Sequence, residues 1–266
     1  MTSTVELEKV AGLIDSAQQT GEPIEQFGES LDLQTAYDVQ AKLLAAREAR
    51  GEKLTGVKLG FTSAAKMAQM GVDEVIIGFI TNQMAIENGG QMGLDRLVHP
   101  RVEPEVAFRV GRDVSAGATA DELVAALDAV APALEVIDSR YRDFRFSLTD
   151  VVADNTSAAR YAIGEWQPFR RDIGDLAVSL FADDRIAEMG TTSAILGHPL
   201  NVIERIERML PVVGYPLAAG AIILAGAATA AIAVNGTRRI QAVIADLGQV
   251  ELCVNQLSTN SERQEP

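Results

Sequence analysis

Between positions 217 and 234 the chain runs for 18 residues without a charge, and Thr229 is the one classically polar side chain in the run. That length reaches the threshold at which an apolar helix can span a bilayer. The content of the run points elsewhere. Most of it is Ala and Gly, and its real hydrophobicity comes from Leu217, Ile222, Ile223, Leu224, Ile232 and Val234. Ala and Gly gain little by leaving water but let backbones approach closely, so the expectation is a buried segment rather than a span. No second run of this kind exists to pair with it. The N-terminus lacks a basic region followed by an apolar stretch, so no secretory leader is expected and the chain reads as cytoplasmic. A buried segment needs a core around it, and 266 residues, 47% of them apolar, suffice for one large domain or two small ones.

Charge and side-chain chemistry narrow the function classes. Twenty-three Lys and Arg against 37 Asp and Glu give a net charge of −14, which argues against a protein that binds nucleic acid by neutralising phosphates. A single cysteine, Cys253, precludes an internal disulfide and is read as core. Two histidines, His99 and His198, are too few for a Cys/His zinc site and are read as structural. Any metal in this chain would be held by oxygen.

The first fifty residues show helical spacing. Leu7, Val10, Ala11, Ile14 and Ala17 recur every three or four positions before Gly21. Leu33, Ala36, Tyr37, Leu43 and Leu44 form a second face, interrupted by Gln40 and Arg47, so its burial is expected to be partial. That segment closes on Arg47, Arg50 and Gly51, with cations near the helix end and glycine beyond it. From Gly56 the texture changes to short apolar runs broken by glycine, the mark of strands. Thr119 with Glu122 predicts a capped helix carrying Leu123, Leu127 and Val130, and Asn201 with Glu204 predicts another. Residues 176–182 and 185–189, and residues 240–245 and 250–254, read as hairpins turning through Asp183-Asp184 and Asp246-Leu247-Gly248. The expectation is an α+β fold: a helical portion over 1–55, a strand-rich body over 56–255 and a frayed tail over 256–266.

The stretch His99-Pro100-Arg101-Val102-Glu103-Pro104-Glu105 carries the chemistry. On a strand, residues i and i+2 share a face, so Glu103 and Glu105 project side by side and repel unless a cation or a shared proton intervenes. Pro104 cannot donate to a ladder, which places the segment at an edge or an opening. Thirty residues beyond Glu105, Glu135 lies in the apolar run Ala133-Leu134-Glu135-Val136-Ile137, where an unpaired carboxylate is costly. A strand–helix–strand return would bring it beside the pair, and three carboxylates leave about three octahedral positions open for a chelating substrate on Mg²⁺. Spacing alone favours the plainer alternative, a solvated Glu-x-Glu face with Glu135 paired to Arg140 or Arg142. Lys58, between Val57 and Leu59, is either a buried cation facing an anion or a stem whose ammonium reaches water. Asp154, Asn155 and Ser157 belong to a polar cluster that is either a binding loop or an Asx turn.

Taken together, Gly56-Val57-Lys58-Leu59-Gly60-Phe61-Thr62-Ser63, residues 99–108, 133–140, 152–157 and 190–199 resemble the 2-oxopent-4-enoate hydratase and 4-oxalocrotonate decarboxylase group of the fumarylacetoacetate hydrolase superfamily. The resemblance implies a mixed β-roll body. It implies a divalent metal, Mg²⁺ with Mn²⁺ also compatible, held by Glu103, Glu105 and Glu135, and a catalytic, substrate-facing Lys58. It also implies a small oxo-dicarboxylate substrate and association with a hydratase of the same catabolic sequence for aromatic compounds; a homo-oligomer is expected separately, since the Ala- and Gly-rich residues 218–233 permit close packing between subunits. Within the group, Gly71-Val72-Asp73-Glu74-Val75-Ile76-Ile77-Gly78 sets Ile76 where hydratases carry an acid/base Asp. Residues 61–70, 141–150 and 225–231 likewise look like the decarboxylase version. The implied reaction is decarboxylation of 2-oxohex-3-enedioate, with Phe61, Ile76 and Ile77 as an apolar wall and Phe61, Ile76, Asp154, Asn155 and Ser157 contacting substrate. The rival is the pentadienoate hydratase; an acylpyruvate hydrolase and a non-enzymatic partner role lie further off. Arg101, Arg140, Arg142, Arg145 and Arg160 are equal candidates to read the distal carboxylate.

Overall fold

The structure is a computed structural model and describes residues 4–28, 31–63, 67, 74–115 and 117–255, apart from the side chain of Val5. The expected frayed tail and most of residues 64–73 lie outside the described residues.

Helices α1 (Thr4–Thr20) and α2 (Leu33–Ala49) pack together at the N-terminal end. Gly21 ends α1 with φ +75°, a conformation that glycine adopts without a Cβ penalty. Asp32 caps α2, its carboxylate accepting the Thr35 N–H at 2.7 Å. The second face is buried more completely than its polar interruptions suggest, because both interruptions find partners. Gln40 donates to the carbonyls of Ile77 (3.1 Å) and Val152 (2.9 Å) and accepts from the Tyr215 hydroxyl (2.6 Å). Arg47 donates to Gln18 and lies 5.1 Å over the Phe79 ring. Buried polar groups whose bonds are made cost little, and here they bolt α2 onto the sheet.

The body is built from β1 (Leu54–Gly60), β2 (Ile76–Thr81), β3 (Ala85–Ile86), β4 (Gln91–Gly93), β5 (Arg101–Val110), α3 (Ala120–Ala126), β6 (Leu127–Ile137), α4 (Leu148–Ala153), β7 (Ala158–Ile163) and β8 (Gln167–Pro168). It continues with β9 (Ala177–Ala182), β10 (Arg185–Thr191), α5 (Val202–Val213), β11 (Ile222–Ala227), β12 (Ile232–Ala233), β13 (Arg239–Ile244) and β14 (Gly248–Asn255). The main sheet runs β2-β1-β11-β5-β6-β7-β3, with β12 beside β5 and β8 beside β6. It is mixed: β1 with β11 and β3 with β7 are parallel, and the remaining pairs are antiparallel. A second sheet runs β10-β9-β13-β14-β4 and contains both expected hairpins. Val102, Leu134 and Val136 of the main sheet pack on Leu180, Ile240, Ala242, Val250 and Leu252 of the second. The architecture is α+β, helices followed by a mixed, curled sheet body.

Local expectations needed adjustment in four places. The capping box at Thr119 and Glu122 is present in both directions, but α3 stops at Ala126, so Leu127 and Val130 belong to β6. Asn201 does not cap α5: its amide donates to Leu196 O at 2.9 Å, and a 3₁₀ turn over Pro199–Asn201 leads into the helix, capped by His198, whose Nδ1 accepts from Leu200 N at 3.0 Å. Cys253 is half-buried on the face of β14 opposite Leu252 and Val254. β5 is central rather than an edge. Pro104 is tolerated because the ladder to β11 breaks beside it: β11 pairs as far as Glu105 and β12 resumes at Val102. The long uncharged run supplies these two strands, and among the described residues no helix is long and apolar enough to cross a membrane.

Candidate metal centre and active-site cavity

Register brings the carboxylates together. On β5 and β6, Glu103 stands directly opposite Glu135, and Glu105 lies two residues along the same face. One oxygen from each of Glu103, Glu105 and Glu135 lies within 4.8 Å of the others, and all three side chains are buried. Their neighbours on the opposite face, Val102, Leu134 and Val136, face the second sheet. The same alternation that buries these apolar residues therefore commits the carboxylates to the other side.

Lys58 completes the cluster from β1. Its Nζ lies 3.1 Å from Glu135 Oε2 and donates to the Thr156 carbonyl at 3.1 Å. The side chain is 2% exposed, so the buried-cation alternative holds and the solvated one does not. β1 and β6 are three strand steps apart, about 14 Å in a flat sheet. A lysine cannot reach that far; the curl of the sheet closes the distance.

The cluster is short of partners for its charge. Glu105 Oε2 accepts the Gly226 N–H at 2.7 Å, but Glu105 Oε1 is buried without a hydrogen bond. Neither oxygen of Glu135 is satisfied by a well-aligned hydrogen bond, despite the nearby lysine. Burial, then repulsion from Glu135 and Glu103, pushes the Glu105 carboxyl well above the usual range. Burial also raises Glu135, and the attraction of Lys58 opposes this without cancelling it. Three converging carboxylates, two of them with oxygens that no well-aligned hydrogen bond satisfies, are the donor set that a hard divalent cation takes.

Glycine shapes the surroundings. Gly226 has φ +100°, and a Cβ there would lie 2.0 Å from Thr62 Oγ1. This is the bulge of β11 that turns its N–H toward Glu105. Gly60 and Gly78 leave room for the 3₁₀ turn Asn155–Ser157, whose three residues all have positive φ.

A cavity of about 310 Å³ opens above the cluster. Lys58 and Glu103 reach its floor, Phe61, Ile76 and Ile137 form an apolar wall, and Thr156 and Ser157 line it. Asp154 and Asn155 do not face it. Asp154 is buried against Arg140 at 3.2 Å. Asn155 clamps β2, its Oδ1 accepting Phe79 N at 2.8 Å and its Nδ2 donating to Phe79 O at 2.9 Å. The polar cluster is thus both a turn and a lining, divided residue by residue. Ile77 points into the core. A larger groove of about 720 Å³ between α2 and residues 213–221 lies apart from the carboxylate triad, so volume does not choose the site here.

The sequence reading missed the Thr156 carbonyl, the Gly226 N–H, and the rim formed by Phe144, Phe146 and Val151. None has a local signal, since each arrives through a turn or bulge whose position is set by distant packing. The five arginines do separate. Arg140 is buried and donates to Asp138 O (2.7 Å) and Ala158 O (2.6 Å), Arg142 pairs with Glu25, Arg145 is exposed and lies outside the cavity lining, and Arg160 lies on a different cavity. Arg101 lines the cavity. Strand parity with Glu103 could have singled it out.

Residues 54–258 match the fumarylacetoacetate hydrolase C-terminal family. The chain belongs to this family. It is 40% identical over 97% of its length to a 4-oxalocrotonate decarboxylase of Pseudomonas sp, covering 100% of that protein. It is 35% identical to 2-keto-4-pentenoate hydratase 1 of Dechloromonas aromatica strain RCB, covering 93% of this chain and 97% of the relative. Among solved structures, 4-oxalocrotonate decarboxylase from Pseudomonas putida G7, complexed with magnesium and adipate, superposes with a TM-score of 0.90 at 33% identity, covering 96% of this chain and 99% of that one.

Proposed function

We propose that this chain is a Mg²⁺-dependent carboxy-lyase that converts 2-oxohex-3-enedioate to 2-hydroxypenta-2,4-dienoate and CO₂ in meta-cleavage catabolism of aromatic compounds. The observation that carries this reading is the buried triad Glu103, Glu105 and Glu135 facing Lys58 beneath an apolar-walled cavity, in a chain alike over 97% of its length to a decarboxylase. The solved relative holds magnesium and a six-carbon dicarboxylate together, which supports Mg²⁺ and a diacid here.

Glu103, Glu105 and Glu135 would hold the cation, which supplies Lewis-acid polarisation of the chelated α-keto-acid end. The bond between C5 and C6 breaks, and its electrons form the C4–C5 double bond, shift C3–C4 to C2–C3 and end on the C2 oxygen, which takes one proton. Lys58 Nζ, already pointing into the cluster, stabilises the negative charge that develops there. Phe61 and Ile76 exclude water from the carbon chain and favour loss of the charged carboxylate as neutral CO₂. Hydration would instead need an acid or base on this wall. Among the described residues, Lys58, Arg101 and Glu103 are the only titratable side chains lining the cavity, and all three lie off the wall.

The division into a helical portion (1–55), a catalytic body (56–255) and a tail (256–266) belongs to the same proposal. So do a homo-oligomer and association with the pathway hydratase, in keeping with exposed Ile186 and Met189 on β10. The test is incubation of the purified chain with 2-oxohex-3-enedioate and, separately, 2-hydroxypenta-2,4-dienoate, with and without chelator. CO₂ release that chelator abolishes, with the diene chromophore left intact, is the expected result. Loss of the diene without CO₂ release would replace the decarboxylase with a hydratase.

A further inference from the structure

We infer that Arg101, seated on the Phe144 ring at the cavity rim, recognises the distal carboxylate of the substrate and makes the site selective for dicarboxylates over monocarboxylates. The inference rests on the proposed decarboxylase reading for the orientation of substrate, with its α-keto-acid end at the triad.

Charge is the first argument. The carboxylates of Glu103, Glu105 and Glu135 with Lys58 and one divalent cation sum to zero, so a doubly charged ligand arrives without a matching charge for its far end. Among the described residues, two cationic side chains line the cavity, Lys58 and Arg101. Lys58 is committed to Glu135 and the Thr156 carbonyl. Arg101 makes no ion pair and no hydrogen bond through its guanidinium among the described residues; its contact is the Phe144 ring, 5.2 Å from Cζ to the centroid.

Spacing is the second. Arg101, Glu103 and Glu105 occupy alternate positions of β5 and project to one face. Successive same-face residues on a strand are about 6.7 Å apart. Five C–C bonds of an extended six-carbon diacid span roughly 6.4 Å, so one carboxyl at the triad sets the other about one strand repeat away, on the Arg101 side. The position of Arg101 is itself held, because the Asp138 carboxylate at the end of β6 accepts the N–H groups of Val98 (3.0 Å) and His99 (2.5 Å) just before β5. Phe144 is in turn buttressed edge-on by Phe146 at 5.2 Å and His99 at 5.8 Å, and an aromatic face under a guanidinium leaves its edge free for a bidentate carboxylate contact.

Arg101 is exposed to water, and the carboxylate it would hold is the one lost. A contact of that kind stabilises bound substrate without stabilising the transition state, so its removal acts on KM rather than kcat. The test uses Mg²⁺-loaded wild type, Arg101→Gln and Arg101→Lys, with calorimetric binding of adipate and hexanoate beside turnover of 2-oxohex-3-enedioate. Wild type is expected to favour adipate by about 10- to 100-fold. Arg101→Gln is expected to erase that preference, leave hexanoate affinity and Tm unchanged, and raise KM about 10-fold or more with kcat within ~3-fold of wild type. Arg101→Lys should recover part of the preference. Retention of diacid selectivity by Arg101→Gln, or a fall in kcat at constant KM, would overturn the inference. Because the binding comparison needs no turnover, wild type that binds adipate selectively yet releases no CO₂ would sink the decarboxylase reading and leave the carboxylate assignment to Arg101 intact.

Discussion

Lys58 and Glu105 show opposite ways in which a buried charge can be tolerated. The ammonium of Lys58 is held by the Glu135 carboxylate and the Thr156 carbonyl; Glu105 has one N–H and a bare oxygen. Lys58→Met should therefore lower kcat by about 10² to 10³, the size seen when one preorganised donor is removed from a site of developing charge. Lys58→Arg should not restore it, since a planar fork does not replace a compact ammonium. Glu105→Gln relieves an unmatched buried charge while its amide oxygen can still accept the Gly226 N–H. Its metal-free Tm is expected to equal or exceed that of wild type, while Mg²⁺ no longer raises Tm and turnover falls at least about 100-fold. A Glu105→Gln variant that turned over normally without Mg²⁺ would refute the role given to the triad.

At the scale of single elements, the bulge in β11 and the turn after α4 decide what the site looks like. Gly226→Ala places a methyl group against Thr62 in a left-handed backbone conformation and should cost about 2–4 kcal/mol, with loss of the Mg²⁺ response. Gly12→Ala, in the middle of α1 with open space around it, should instead stabilise by about 0.5–1 kcal/mol; urea unfolding of both variants checks the contrast. The turn after α4 begins at Asp154, whose carboxyl is pushed from 3.8 up to about 7 by burial, with Arg140 pulling the other way. A proton held in the folded chain but released from the unfolded one makes stability fall as pH rises from about 4 to about 7 and level off above that. Asp154→Asn should flatten this part of the pH–stability curve relative to wild type, measured by denaturant unfolding at half-unit steps.

For the molecule as a whole, the metal is expected to be a stabiliser as well as a reactant's partner. Three carboxylates that repel one another in the free protein are joined by a cation that the unfolded chain cannot bind in this way. Mg²⁺ at a hundredfold excess over its Kd should add about 2.7 kcal/mol, which raises Tm by roughly 5–10 °C in a chain of this size and is reversed by chelator. The same experiment on Glu135→Gln should give no shift. A wild-type Tm indifferent to divalent cations would mean that the triad is a structural knot and not a binding site.

Much of this was legible along the chain, because it depends on short-range periodicity. The helices before Leu54, the Thr119 cap, the two hairpins and the side-by-side projection of Glu103 and Glu105 follow from 3.6- and 2-residue repeats and local hydrogen bonding. The pairing of Glu103 with Glu135, the reach of Lys58 across three strand steps, the burial of Gln40 and Arg47, and the separation of Asn155 from Ser157 do not. Each of those depends on where a curled sheet brings residues that are distant in sequence, and on whether a polar atom there finds a partner. Alternation along one strand assigns a side chain to a face; only closure of the sheet settles what that face meets.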